Sequence, residues 1–159
     1  MHRLAAYFTD TLWRWFSGIP LRQTVKITPD VYLGGGISAR GLKQLQDWGV
    51  TAVVNMRTSR PVPGIRTLHL PTRDRKSPTI QDLERGVRFI AEEVESGGKV
   101  YVHCRQGRGR GPTMMLAYLI SKGYDLDQGM HIIRKTRNFI RPTRSQMKIL
   151  RRFANNYIQ

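Results

Sequence analysis

Apolar positions recur along this chain with two periods, and their alternation predicts strands and helices in turn. Val25-Lys26-Ile27 and Val31-Tyr32-Leu33 flank a Thr28-Pro29-Asp30 turn; Val50 to Met56, Ile65 to Leu70 and Val100-Tyr101-Val102 follow. Each reads as a strand bounded by turn residues. Between them the apolar spacing switches to threes and fours, the mark of helices. Ser38 offers an N-cap to a helix from Ala39 to Trp48, which stops at Gly49. Thr79, with Asp82 three residues on, caps a helix whose buried face is Leu83, Val87, Ile90, Ala91 and Val94, ended by Gly97-Gly98. A helix beginning near Pro112 carries Met115, Leu116, Leu119 and Ile120 and stops at Gly123. Asp125 opens a helix that runs to Arg137, and Pro142-Thr143 opens the last, with Gln146 completing a capping box.

Strands alternate with helices, and the second half is helical. The expected fold class is α/β: a mostly parallel central sheet flanked by helices. At 159 residues a single compact domain is expected, over residues 25–159. Residues 1–24 read as a separate amphipathic helix and linker. Leu4, Phe8, Leu12, Trp15 and Ile19 follow helical spacing there, with Thr11 and Phe16 beside the stripe and Trp13 off it. Two readings stay open: the stripe packs on the domain, or its aromatic residues rest on a membrane surface.

No apolar run reaches the roughly 20 residues that cross a bilayer. The N-terminus also lacks a secretory pattern. The expected location is therefore cytoplasmic, with peripheral membrane contact through residues 1–18 as the further option.

Charge narrows the partners. Lys and Arg number 27 against 11 Asp and Glu, a net charge of +16. Such a field attracts nucleic acid, acidic lipid or phosphorylated substrates; a solvated basic surface is the plain alternative. No aromatic-basic RNA-recognition pattern is present, so nucleic acid is not an expected partner. The single cysteine, Cys104, excludes an internal disulfide. With the four histidines it forms no metal-ligand spacing, and no metal or other cofactor is expected.

The chemistry concentrates in His103-Cys104-Arg105-Gln106-Gly107-Arg108-Gly109-Arg110, where an apolar strand gives way to a helix. Gly107 and Gly109 let the loop curl tightly, so that successive N–H groups form an anion nest from Arg105 to Arg110. The following helix adds the positive end of its dipole. A phosphate held there sits beside the Cys104 sulfur. A free thiol ionises near pH 8.5, and such surroundings lower that by several units. Arg110 can grip two phosphate oxygens through its planar fork and neutralise charge during transfer. Asp74, in the polar loop Thr72 to Pro78, is the candidate acid for the leaving oxygen and base for the water that follows. Taken alone, Asp74 reads as a solvated loop carboxylate. His103 reads as a structural residue that orients the loop and tunes the thiolate.

His103-Cys104-x5-Arg110 resembles the signature of cysteine-dependent phosphatases, in particular the dual-specificity branch. The resemblance covers most of Val25 to Tyr157, including Asp74-x3-Pro78 and Ile140-Arg141-Pro142. It implies a compact cysteine-phosphatase fold, a phosphocysteine intermediate and no metal. One departure matters: the family usually has Ser or Thr directly after the arginine, where this chain has Gly111. That hydroxyl is understood to help the cysteine leave, so its absence implies slow release; Thr113 is near. Arg105, Arg108, Arg73, Arg75 and Lys76 crowd the two loops, a pattern similar to lipid-directed members, with Thr79 to Leu119 and the last helix similar to the phosphatidylglycerophosphate type. Three readings follow: a phosphatase for an anionic lipid headgroup (phosphatidylglycerophosphate or a phosphoinositide), a phosphatase for phosphoproteins, or a weakly active module that binds phosphorylated lipid or RNA.

Overall fold

A computed structural model describes residues 24–157 together with Leu12, Trp15 and Phe16. Within residues 24–157 there are five strands and five helices: β1 Val25–Thr28, β2 Val31–Gly34, α1 Ala39–Asp47, β3 Ala52–Asn55, β4 Arg66–His69, α2 Ile80–Glu95, β5 Val100–His103, α3 Arg110–Ser121, α4 Leu126–Thr136 and α5 Arg144–Tyr157. The sheet order is β1-β2-β5-β3-β4. Only β1 is antiparallel to its neighbour; β2, β5, β3 and β4 run parallel. The expected α/β architecture is the one observed.

Alternation along the strands divides the core. Val31, Leu33, Val100, Val102, Ala52 and Val54 face one side, where they pack with α2, α3, α4 and α5. Tyr32, Tyr101 and Val53 face the other with Leu45 of α1. Near-continuous apolar strands buried on both faces are what a parallel sheet requires. Helix α3 is the centre of the large side, with every residue from Arg110 to Ile120 buried. A fully buried Leu or Ile contributes about 1.5–3 kcal/mol, so α3 is firmly anchored. Gly86 lets it in: a Cβ at that position of α2 would overlap Met114.

The caps read from sequence are present. Ser38 and Thr79 accept from Gly41 and Asp82 N–H groups, at 3.3 and 3.0 Å. Asp125 and Gln128 form a reciprocal capping box. Thr143 and Gln146 form another at the start of α5. Strand β3 is shorter than the run from Val50 to Met56, because the Val50 N–H is taken by the Leu45 carbonyl at 3.0 Å as the chain leaves α1. Helix α3 begins at Arg110, ahead of the position near Pro112 expected from sequence. The expected stripe members Leu4, Phe8 and Ile19, Thr11 beside the stripe and Trp13 off it lie outside the described residues.

Because the four parallel strands point the same way, the loops after β2, β3, β4 and β5 open at one edge. The crevice beyond the carboxyl ends of parallel strands is the general ligand position of such sheets.

Candidate active site

Cys104 follows β5 directly and Arg110 opens α3, so the loop between them spans the step from strand end to helix N-terminus. Cys104 is 3 % exposed. Its Sγ accepts the Gly107 N–H at 3.2 Å, a donor that stabilises negative charge on sulfur. Gly107 has φ 62°, and a Cβ there would meet the Gly34 carbonyl at 2.6 Å, so both conformation and space demand glycine.

Arg110 is buried at 5 % exposure and its guanidinium reaches the acid loop. Nη1 donates to the Thr72 carbonyl at 2.7 Å, and Nη2 pairs with Asp74 Oδ1 at 3.1 Å. Asp74 itself is 69 % exposed, so the pair adds little stability, but it puts the carboxylate over the loop. The acid loop is held from below by α5: Thr143 Oγ1 donates to the Arg75 carbonyl at 3.2 Å and Gln146 Nε2 to the Lys76 carbonyl at 2.9 Å. Arg75 adopts a left-handed backbone, φ 62°.

A cavity of about 360 Å³ opens here. Cys104, Arg110 and Asp74 line it, with Arg105, Gln106, Arg108 and Gly109 from the loop and Arg75 and Arg141 at its sides. Of three further residues expected at the site, two turn their side chains away from the sulfur and one, Gly111, faces it. Thr113 is fully buried, with its hydroxyl spent on the Gly109 carbonyl at 2.7 Å. His103 stacks on Tyr101 with ring centroids 5.5 Å apart and lines a different, small cavity beside Pro61. Gly111 faces the sulfur: a Cβ there would lie 3.6 Å from Sγ and 3.1 Å from Leu33 Cδ1.

Burial pushes the His103 pKa down to about 4, only partly offset by its hydrogen bond to the Cys104 carbonyl and reinforced by Arg57, Arg110 and His69. The ring is neutral at pH 7. Between pH 6.5 and about 4 the unfolded chain takes up a proton on this histidine that the native chain does not, so its contribution is full above 6.5 and shrinks as pH falls. The loss is on the order of 2–3 kcal/mol. Denaturant melts at pH 7 and 4.5 should show a shallower fall for His103→Gln than for the wild type; equal falls would remove this origin.

Gly111 makes a second expectation testable. With the Thr113 hydroxyl spent, no side-chain hydroxyl of the loop or first turn of α3 faces the sulfur. Gly111→Ser should speed release of trapped phosphoenzyme about tenfold, the worth of a hydrogen bond to a charged leaving group. An unchanged single-turnover dephosphorylation rate would contradict it.

Residues 31–156 match the family of the dual specificity phosphatase catalytic domain. The chain belongs to the dual specificity phosphatase family. It is 34% identical to human dual specificity protein phosphatase 2 over 139 residues, 84% of this chain and 44% of that protein. It is 31% identical to human phosphatidylglycerophosphatase and protein-tyrosine phosphatase 1 over 144 residues, 80% of this chain and 71% of that protein. Among solved structures, PTPMT1 in complex with PI(5)P superposes with a TM-score of 0.79 at 28% identity, covering 86% of this chain and 97% of that one. The chain spans less than half the length of the dual specificity protein phosphatases it matches.

Sequence reasoning missed three residues that the structure brings to the Cys104 loop or its cavity. Gln146 was read only as a capping residue and Arg141 only as part of the segment before the last helix. Arg137 was read as a helix end. None carries a local signal, because an arginine in the last turn of a helix already suits the helix dipole.

Proposed function

We propose that this chain is a phosphomonoester hydrolase that works through a phosphocysteine and takes an anionic phospholipid headgroup, phosphatidylglycerophosphate or a phosphoinositide. The observation that carries it is the single cavity shared by Cys104, Arg110 and Asp74. The phosphate sits on the loop N–H groups; the Cys104 thiolate attacks phosphorus as the ester P–O bond breaks. Protonated Asp74 gives its proton to the leaving oxygen. Asp74 as carboxylate then takes a proton from water, whose oxygen attacks the phosphocysteine. The P–S bond breaks, freeing inorganic phosphate and the thiolate. Arg110 neutralises the equatorial oxygens in both steps.

Charge favours a polyanionic headgroup. Among the described residues, ion pairs of arginine involve Arg66, Arg85 and Arg110. Arg75, Arg105, Arg108 and Arg141 line the same cavity, and among the described residues their guanidinium groups make no ion pair. The likeness to a phosphatidylglycerophosphatase and to a phosphoinositide complex supports the same reading. Peripheral membrane contact through residues 1–18 is supported by Leu12, Trp15 and Phe16. These are helical and exposed, and Arg40 Nη1 donates to the Phe16 carbonyl at 2.8 Å. No helix among the described residues is long and apolar enough to cross a membrane.

A phosphoprotein substrate is the second reading, favoured by the likeness to dual specificity protein phosphatase 2. A panel of phosphatidylglycerophosphate, phosphoinositides, phosphopeptides and 5′-phosphorylated RNA decides between them. The lipids should exceed the phosphopeptides in kcat/KM by about tenfold or more, one well-made charged contact. A phosphopeptide preference would move the assignment to protein substrates, and no turnover at all would leave a binding module.

A further inference from the structure

The loop Cys104 to Arg110 has its carbonyls tied down one after another. Arg105 O accepts the Gly36 N–H at 3.0 Å, Arg108 O accepts the Arg141 N–H at 2.7 Å, and Gly109 O accepts the Thr113 N–H at 2.9 Å. The two carbonyls between them are held by one side chain. Arg137 Nη2 donates to Gln106 O and Arg137 Nε to Gly107 O, each at 2.8 Å.

A trans peptide sets its C=O and the next N–H in opposite directions. A carbonyl fixed on the outside of the curl therefore fixes the following N–H toward the inside. The peptide whose carbonyl Arg137 Nη2 holds is the one whose N–H, on Gly107, faces the Cys104 sulfur at 3.2 Å. The peptide held by Nε directs the Arg108 N–H.

Arg137 is itself rigidly placed. It is fully buried at the C-cap of α4, and its guanidinium lies 4.5 Å from the centre of the Phe139 ring. Its fork matches two adjacent carbonyls in a way a lysine ammonium cannot. Glycine at 107 is needed here too, since a Cβ would overlap Arg137.

We propose that Arg137 is a positioning residue for the reaction. By holding the 106–107 and 107–108 peptides it aims two N–H donors at the sulfur and the transferring phosphoryl group, so the cradle is set before an anion arrives. The role in turnover rests on the phosphocysteine reading; the aiming of the donors does not.

Arg137→Lys keeps the charge and loses the fork. Its kcat/KM for a phosphomonoester and its affinity for orthovanadate, which mimics the transferring phosphoryl group, should both fall by about 10²-fold, the usual cost of misplacing such donors. Assays run well below the variant's own melting temperature, with kcat and KM measured separately; the loss should lie mainly in kcat. A lowered Tm with unchanged kcat and vanadate affinity would overturn the proposal and leave Arg137 a fold residue. Should the lysine variant not fold, Phe139→Leu, which removes the ring 4.5 Å from the Arg137 guanidinium and 5.7 Å from that of Arg108, must weaken vanadate in the same direction by more than Arg108→Ala does, and no such excess would overturn the proposal. Trapping of phosphate on Cys104 in the wild type tests the phosphocysteine reading separately, because vanadate affinity reports on the cradle alone.

Discussion

Cys104→Ser ends turnover of every phosphomonoester while oxyanion binding survives. The side chain loses its nucleophile for a specific reason. A serine hydroxyl needs a base to take its proton, and among the described residues the group hydrogen-bonded to the sulfur is a donor, the Gly107 N–H. His103 is no such base: its Nδ1 lies 3.3 Å from the Cys104 carbonyl and its ring lines another cavity. The rate should drop by about 10⁴-fold or more, some 5 kcal/mol of barrier. The cradle is made of backbone N–H groups whose carbonyls are anchored by residues that do not touch the sulfur. Tungstate or vanadate affinity should therefore stay within a few-fold of the wild type. Steady-state assays with a tungstate titration check both halves. Residual activity above about one per cent would place the nucleophile elsewhere.

Asp74→Asn is the second large effect, and its size depends on the leaving group. Asparagine keeps an oxygen for Arg110 Nη2, which Asp74 meets at 3.1 Å, but its amide is neither an acid nor a base that could transfer a proton. An alkoxide leaving group must be protonated as it departs, so glycerol-type phosphates should lose about 10²–10³-fold in kcat. p-Nitrophenolate leaves without help, so p-nitrophenyl phosphate should lose much less in its first step. Comparing the two burst rates isolates acid catalysis. Equal losses would assign Asp74 to holding Arg110 rather than to proton transfer.

The signature loop was legible because its parts are adjacent in sequence: a thiol, two glycines and an arginine between a strand and a helix. The acid was legible because Asp74 lies in a short polar loop whose ends are set by β4 and α2. The caps were legible because each involves residues three apart. The late part of the site was not. Arg137, Arg141 and Gln146 lie 27 or more residues beyond Arg110, and act through backbone carbonyls that any sequence supplies. Thr113 and His103 went the other way. His103 is the first residue of the signature and Thr113 lies just past it, yet the Thr113 hydroxyl turns into the helix and the His103 ring stacks away from the sulfur.

Periodicity and turn chemistry are local properties, so the α/β class could be read from the chain alone; the eight-residue motif from His103 to Arg110 carried the family and, with Asp74 of the polar loop, supplied the candidates for nucleophile, phosphate grip and acid. The folded chain is what brings Arg110 to Asp74, gathers Arg75, Arg105, Arg108 and Arg141, which make no ion pair among the described residues, in the Cys104 cavity, and ties down all five loop carbonyls. Those facts depend on which strand ends lie side by side and how closely α3, α4 and α5 pack behind them, and packing joins residues with no spacing in common.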